Sequence, residues 1–217
     1  SEARKSSSKV YAVIPYMGYA RQDKQFLSGE IITMSIVAKM IKMAGAKKVI
    51  FVDIHSKTGL NHFKITKENV SAIPELAKYF KKMKLTNPLV VSPDLGGSLR
   101  AKKFAGVLNT DFIALKKSRD RNTGKVQIHS SKVDVRGRDL IVVDDIISTG
   151  GSVVRATQFL KRQKCKRVFV ACTHGLFIGD AERKIKKAGA SQIISTNTIP
   201  RGTSKVDVSG VIVESIQ

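Results

Sequence analysis

A chain of 217 residues is long enough for one large or two small domains, and a hydrophobic content of 42% is that of an ordinary globular protein. The formal net charge of +22, from 39 basic and 17 acidic residues, invites a nucleic-acid reading, but the cations lie on helix faces and loops with no aromatics interleaved for base stacking. No apolar stretch is long enough to span a bilayer, the N-terminus shows no signal-peptide pattern, and Cys165 and Cys172 are too few for a disulfide framework, so a reducing cytoplasm is the expected setting.

Strand and helix signals alternate along the chain. The first eight residues are polar and read as frayed. Val10 to Ile14 reads as a short apolar strand ending at Pro15, and Ile31 to Met43 as a helix with Ile32, Ile36, Met40 and Met43 near one face and Gly45 just beyond its end. Val49 to Val52 is a continuous apolar run, the mark of a strand buried on both faces. Ser71 to Met83 predicts a helix with Leu76, Ala77 and Phe80 inward. Leu89 to Val91 predicts a strand, followed by Ser92-Pro93-Asp94-Leu95-Gly96-Gly97 and a basic helix to about Leu108. Phe112 to Leu115 is a further strand. Lys116 to Lys125 is charged and without period, which predicts a mobile loop. Leu140 to Val143, Val153 to Leu160, Val168 to Ala171, Ala181 to Lys187 and Ile193-Ile194 continue the alternation, and Val208 to Ile216 predicts a last short helix capped by Ser209.

This alternation predicts an α/β fold with a parallel sheet covered on both faces, in which ligands bind beyond the carboxyl ends of the strands. The chemically suggestive residues cluster there. The most informative segment is Val142-Val143-Asp144-Asp145-Ile146-Ile147-Ser148-Thr149-Gly150-Gly151-Ser152. Its glycines permit positive φ and close approach to a ligand, and the helix that follows turns its N–H groups and positive dipole end toward a phosphate. The hydroxyls of Ser148, Thr149 and Ser152 add donors. Asp144 and Asp145 could accept from vicinal sugar hydroxyls or hold a hydrated magnesium ion. A helix cap alone would account for one hydroxyl and one carboxylate, not for the whole set. The combination points to a ribose 5-phosphate site.

Other strand ends carry weaker signals. Arg21-Gln22-Asp23-Lys24 could grip a polyphosphate and a base edge, or be a surface loop. His55 follows Asp53. Asp94 precedes Gly96-Gly97 and reads either as a cap or as a magnesium-phosphate contact. Lys117 and Arg119, two residues apart, would present two cations on a loop able to close over a polyphosphate. His62, His129 and His174 have no partner arguable from sequence.

Together Tyr16 to Lys24, Val52 to His55, Val91 to Gly97, Lys117-Ser118-Arg119, Val142 to Ser152 and Ala171-Cys172-Thr173-His174-Gly175 resemble the ribose-phosphate pyrophosphokinases, or phosphoribosyl pyrophosphate synthetases, with the 117–119 context closest to archaeal members. The resemblance covers nearly the whole chain in family order. It implies two parallel-sheet, type I phosphoribosyltransferase-like domains. Residues 1–84 would be the C-terminal part of an incomplete first domain on the ATP side, and 85–217 the second, on the ribose 5-phosphate side.

The implied reaction transfers diphosphate from ATP to the 1-hydroxyl of ribose 5-phosphate, giving phosphoribosyl pyrophosphate and AMP. By the same resemblance, Arg21, Gln22, Asp23 and His55 would bind ATP, and His55 with Asp94 would bind Mg2+. Lys117 and Arg119 would be catalytic. Arg119, Asp144, Asp145, Ser148, Thr149, Gly150, Gly151 and Ser152 would bind ribose 5-phosphate. The family assembles as dimers or hexamers. Ser148 stands where many members have Asp, and Gly150 where many have Ala or Cys. No initiator Met is present and the family's first domain starts earlier, so a fragment or trimmed product is expected. A phosphoribosyltransferase and a non-catalytic regulatory homologue of the synthetase are the alternatives.

Overall fold

In the computed structural model residues 3, 9–25, 27–119, 126–129 and 134–216 are described, with 117–119 and 126–129 as backbone only. Their contacts gather into two compact units, Ser1–Ala72 with Val208–Gln217, and Ile73–Asp207. Among the described residues no helix is long and apolar enough to cross a membrane.

The first unit is built on a three-stranded parallel sheet in the order β1 (Tyr11–Ile14), β2 (Lys48–Val52), β3 (Thr66–Val70). β3, with the polar sequence Thr-Lys-Glu-Asn-Val, has no apolar run to announce it; it is an edge strand, where polar residues meet water. On one side α1 (Thr33–Met43) packs Met34 and Ala38 against Val49, Phe51 and Phe63. On the other, a short C-terminal helix, α6 in chain order (Ser209–Glu214), covers Val52 and Ala72 through Val208, Val211 and Ile212.

Two sequence expectations are corrected in this unit. The apolar face read from the period is not the buried one, for Ile36, Met40 and Met43 are exposed. The helix is apolar around most of its circumference, so periodicity could not select a face; the small Ala38 and Met34 lie against the sheet, where Gly59 leaves room for the Met34 sulfur. Ser209 does not cap α6 either; it is the first helical residue, after Val208.

The second unit holds a six-stranded, all-parallel sheet in the order β11-β10-β9-β8-β4-β5. The strands are β4 (Leu89–Ser92), β5 (Phe112–Ala114), β8 (Asp139–Ile147), β9 (Arg167–Gly175), β10 (Ala190–Thr196) and β11 (Ser204–Val206). Because both faces are covered, the middles of the central strands, Leu89–Val91, Leu140–Val143 and Val168–Cys172, are apolar at successive positions rather than alternating. One face receives α2 (Ile73–Lys81) and α3 (Ser98–Leu108), with Phe80 meeting the edges of Phe104 and Phe169 at centroid distances of 5.7 and 5.9 Å. The other receives α4 (Gly151–Arg162) and α5 (Ala181–Lys187), through Val153, Ala156, Leu160 and Ile185. Each fully buried aromatic or aliphatic side chain contributes on the order of 2 kcal/mol of apolar transfer.

These units are drawn differently from the expected boundary between 84 and 85. The face Leu76-Ala77-Phe80, correctly read as inward, places α2 on the six-stranded sheet, while α6 returns to the first unit. The charged stretch after β5 also departs from expectation. Its start is not a loop: β6 (Lys116–Arg119) pairs antiparallel with β7 (Val126–His129), Lys117 opposite Ile128 and Arg119 opposite Val126. Residues 120–125 and the side chains of Lys117, Arg119 and His129 lie outside what is described.

Candidate active site

In the second unit the expected residues converge at the carboxyl ends of β4 and β8, adjacent parallel strands. β8 does not end at Val143. It runs through both aspartates to Ile147, because β9 continues beside it, Asp144 opposite Cys172 and Ile146 opposite His174. The chain then turns at Gly150, whose φ of 75° favours glycine and whose missing Cβ would stand 3.1 Å from Ile185 Cδ1. α4 starts directly after, with no acidic residue in its first turn, so its positive dipole end faces the Ser148–Ser152 segment. The segment is tied from outside: Leu176 and Phe177 N–H groups donate to Ile147 O and the Ile178 N–H to Ser148 O, each at 3.0 Å. Thr149 is exposed, and Ser148, Gly151 and Ser152 are half-buried.

Asp144 and Asp145 are held by a residue that sequence reasoning missed. Arg100, in the first turn of α3, places Nη2 2.8 Å from Asp145 Oδ2 and Nη1 3.3 Å from Asp144 Oδ1. Asp145 Oδ1 also accepts the Ile146 N–H at 2.8 Å, and Asp144 Oδ1 the Asp145 N–H at 3.0 Å. Burial pushes the Asp144 carboxyl up, the Asp145 charge pushes the same way, and Arg100 offsets only part, leaving it at about 7. Burial and the same two carboxylates push the Cys172 thiol well above its usual range, so it behaves as packing rather than as a nucleophile. His174, without an arguable partner in sequence, is buried with Nδ1 2.9 Å from Thr198 Oγ1; that hydroxyl in turn donates to Thr173 O.

Asp94 stands at the turn after β4 with extended backbone, and its Oδ1 accepts the Gly97 N–H at 3.2 Å. It therefore caps the turn, the bland alternative, while remaining half-buried beside the same strand ends. Among the described residues no three His, Cys, Asp or Glu side chains gather as a metal cage. Magnesium does not require one, since it is commonly held by one or two carboxylates together with substrate phosphates and water, and a single carboxylate at a strand end fits that pattern.

In the first unit Arg21, Gln22 and His55 are exposed, with the Gln22 N–H closing a turn on Tyr19 O at 2.8 Å. Asp23 differs from them. It is buried, its Oδ2 accepts from Thr58 Oγ1 at 2.7 Å, and its carbonyl meets His62 Nε2 at 2.7 Å. The Ser56 hydroxyl, ahead of Thr58, holds its carboxyl below the usual range against the opposing effect of burial. Asp23 thus braces the 56–62 segment and gives His62 a role that sequence did not reveal. Asp53 is similarly occupied, accepting from Ser71 Oγ at 2.8 Å and the Ala72 N–H at 3.0 Å.

Comparison with known proteins identifies the family and the fold. The family described as Phosphoribosyl transferase domain matches residues 63–208, and that described as N-terminal domain of ribose phosphate pyrophosphokinase matches residues 1–45. A ribose-phosphate pyrophosphokinase of Sulfurisphaera tokodaii is 37% identical over 214 residues, covering 97% of this chain and 73% of that protein. One from Sulfolobus acidocaldarius is 38% identical over 94% of this chain and 70% of its own, and one from Staphylococcus aureus 36% identical over 98% and 69%. The crystal structure of phosphoribosylpyrophosphate synthetase from Mycobacterium smegmatis superposes with a TM-score of 0.84 at 28% identity, over 99% of this chain and 72% of that one. The chain belongs to the ribose-phosphate pyrophosphokinase family.

Proposed function

We propose that this chain transfers the diphosphoryl group of ATP to the 1-hydroxyl of ribose 5-phosphate, giving phosphoribosyl pyrophosphate and AMP, as a step of nucleotide biosynthesis. The observation that carries the reading is the double family match. A phosphoribosyltransferase core alone would suit a base transferase, but the N-terminal residues match the pyrophosphokinase family as well, and relatives at 36–38% identity carry that name over nearly the whole chain.

The ribose side is assigned to the second unit. The Ser148–Ser152 turn and the first turn of α4 take the 5-phosphate, with N–H groups and hydroxyls as donors. Asp144 and Asp145 accept from the ring hydroxyls and so fix the sugar's orientation. The anomeric oxygen forms a bond to the β-phosphorus, the bond from that phosphorus to the α-phosphate oxygen breaks, and AMP leaves with that oxygen. The 1-hydroxyl gives up its proton to solvent water, which balances the step. Lys117 and Arg119, at alternate positions of β6, are proposed to stabilise charge developing on the transferred group, and Arg119 also to contact ribose 5-phosphate.

Arg21, Gln22 and His55 are proposed for ATP; Asp23 is assigned there too, through the loop it braces. Asp94 in the second unit and His55 in the first are each proposed as a magnesium contact, taken separately; the ion would neutralise phosphate charge. The basic surface, net +22, favours the approach of both phosphorylated substrates. The reading extends to a cytoplasmic homo-oligomer, a dimer or hexamer, which light scattering would check. The direct test follows AMP and phosphoribosyl pyrophosphate formation from ATP, magnesium and ribose 5-phosphate. Formation that stops on chelation is expected. Consumption of phosphoribosyl pyrophosphate with a nucleobase, and no AMP from ATP, would replace this reading with a transferase.

A further inference from the structure

Arg100 occupies an unfavourable place for a cation. It lies in the first turn of α3, where the helix dipole is positive and no acidic residue offsets it, and its side chain is only 20% exposed. Helix stability does not account for it there; the two carboxylates it reaches do. The contacts are unequal. Asp145, 3% exposed, is fixed through both oxygens, by Arg100 at 2.8 Å and by the Ile146 N–H. Asp144, 20% exposed, takes the Asp145 N–H and the Arg100 guanidinium on the same oxygen, Oδ1, the one from Arg100 being the longer at 3.3 Å. One carboxylate is anchored and its neighbour is presented.

The backbone makes room for this fork. A Cβ at Gly97 would stand 3.0 Å from Arg100 Nη1 and 2.5 Å from Ser92 Oγ, the hydroxyl that donates to Asp94 O. The turn that displays Asp94 is therefore also the passage through which the guanidinium reaches β8.

We propose that Arg100 is the positioning residue of the sugar clamp: by anchoring Asp145 and steering Asp144 it sets the geometry that reads the vicinal hydroxyls, and so the preference for ribose 5-phosphate over 2-deoxyribose 5-phosphate. The proposal rests on the ribose 5-phosphate reading of this site. A site built to take a hydroxyl rejects the analogue lacking it because its buried acceptors are left unmatched. That discrimination survives only while the acceptors are held in place, and Arg100 acts through the carboxylates it contacts.

The test compares wild type, Arg100→Met and Arg100→Lys, measuring calorimetric binding of ribose 5-phosphate and of 2-deoxyribose 5-phosphate, alongside KM for each substrate. Arg100→Met is expected to weaken ribose 5-phosphate binding about tenfold to a hundredfold, the scale of a charge-assisted hydrogen bond, to shrink the ribose-to-deoxyribose ratio by a similar factor, and to leave KM for ATP unchanged. Arg100→Lys, which keeps the charge but loses the fork, should fall between. If the methionine variant does not fold, the lysine variant decides: unchanged affinity and unchanged sugar preference overturn the proposal. Wild type that binds neither sugar phosphate defeats the underlying site reading instead, and wild type that binds them but forms no AMP defeats only the reaction.

Discussion

Strand β8 carries buried aspartates at both ends, each facing an arginine, and the two ends behave oppositely. At its start Asp139 is fully buried and fully satisfied: the Arg167 Nε and Nη2 donate at 2.9 and 2.6 Å and the Thr86 N–H at 2.7 Å. Burial pushes its carboxyl up, yet the hydrogen bonds from Arg167 and Thr86 and the Arg167 charge prevail and hold it below the usual range. Toward the carboxyl end Asp144 adjoins a second carboxylate, receives a longer contact from its arginine, and is raised to about 7. Only the second end is left electrostatically unsatisfied, and it lies where parallel sheets bind ligands. An aspartate with three donors from its own chain shared over both oxygens is structural; one held in place but under-compensated is poised for something else.

The contrast breaks most readily by mutation. Asp139→Ala should cost about 3 kcal/mol in denaturant unfolding, the low end for breaking a buried pair because Arg167 is partly exposed, with KM for ribose 5-phosphate unchanged. A large loss of affinity at constant stability would erase the distinction between the ends. Lys117→Ala asks whether function at the carboxyl ends extends to the β6–β7 ribbon; turnover should fall at least about a hundredfold with stability unaltered, and unchanged turnover removes Lys117 from the chemistry. Asp144→Asn should lower kcat/KM for ribose 5-phosphate by about tenfold to a hundredfold while the melting temperature stays level or rises, since an ionised carboxylate beside Asp145 is relieved. A drop in melting temperature would put Asp144 in the class of Asp139.

Why some of this was legible in sequence and some not is a matter of distance along the chain. The Gly150 turn, the α4 N-terminus and the paired aspartates lie within ten residues of one another, so local chemistry revealed them. Arg100 stood among other cations of a basic helix, Lys102 and Lys103 beside it, and its partner Asp144 is 44 residues away. Asp139, just ahead of the strand read from Leu140, drew no reading because Thr86 and Arg167 are 53 and 28 residues distant. Asp23 was read with Arg21 and Gln22 as one cluster, but its partner Thr58 lies 35 residues on. Alternation of apolar runs exposed the central strands, whereas the polar edge strand β3 gave no period to announce it and the all-round apolar α1 was legible as a helix but not in which face it buries.

The smallest expected effect, and the sharpest on β8, is in pH dependence. Asp139 has a folded pKa below its unfolded one, so its contribution to stability is complete above about pH 4 and is lost as pH falls further. Asp144 has a folded pKa above its unfolded one. Between about pH 4 and 7 the native state keeps a proton that the unfolded chain releases, so stability from this group falls as pH rises through that window. Denaturant unfolding across pH should therefore show the upper slope vanish in Asp144→Asn and the lower one in Asp139→Asn. Activity tracks the upper window in the reverse sense, because protonation removes the charge that strengthens the hydrogen bond Asp144 accepts from a sugar hydroxyl. At pH 6, kcat/KM for ribose 5-phosphate should lie about tenfold below its plateau, one proton being involved. The substrate's phosphate also titrates near pH 6, so the informative quantity is the difference between wild type and Asp144→Asn. Identical acid limbs in the two would assign the proton to the substrate and leave Asp144 no different, in its titration, from the aspartate at the other end of its strand.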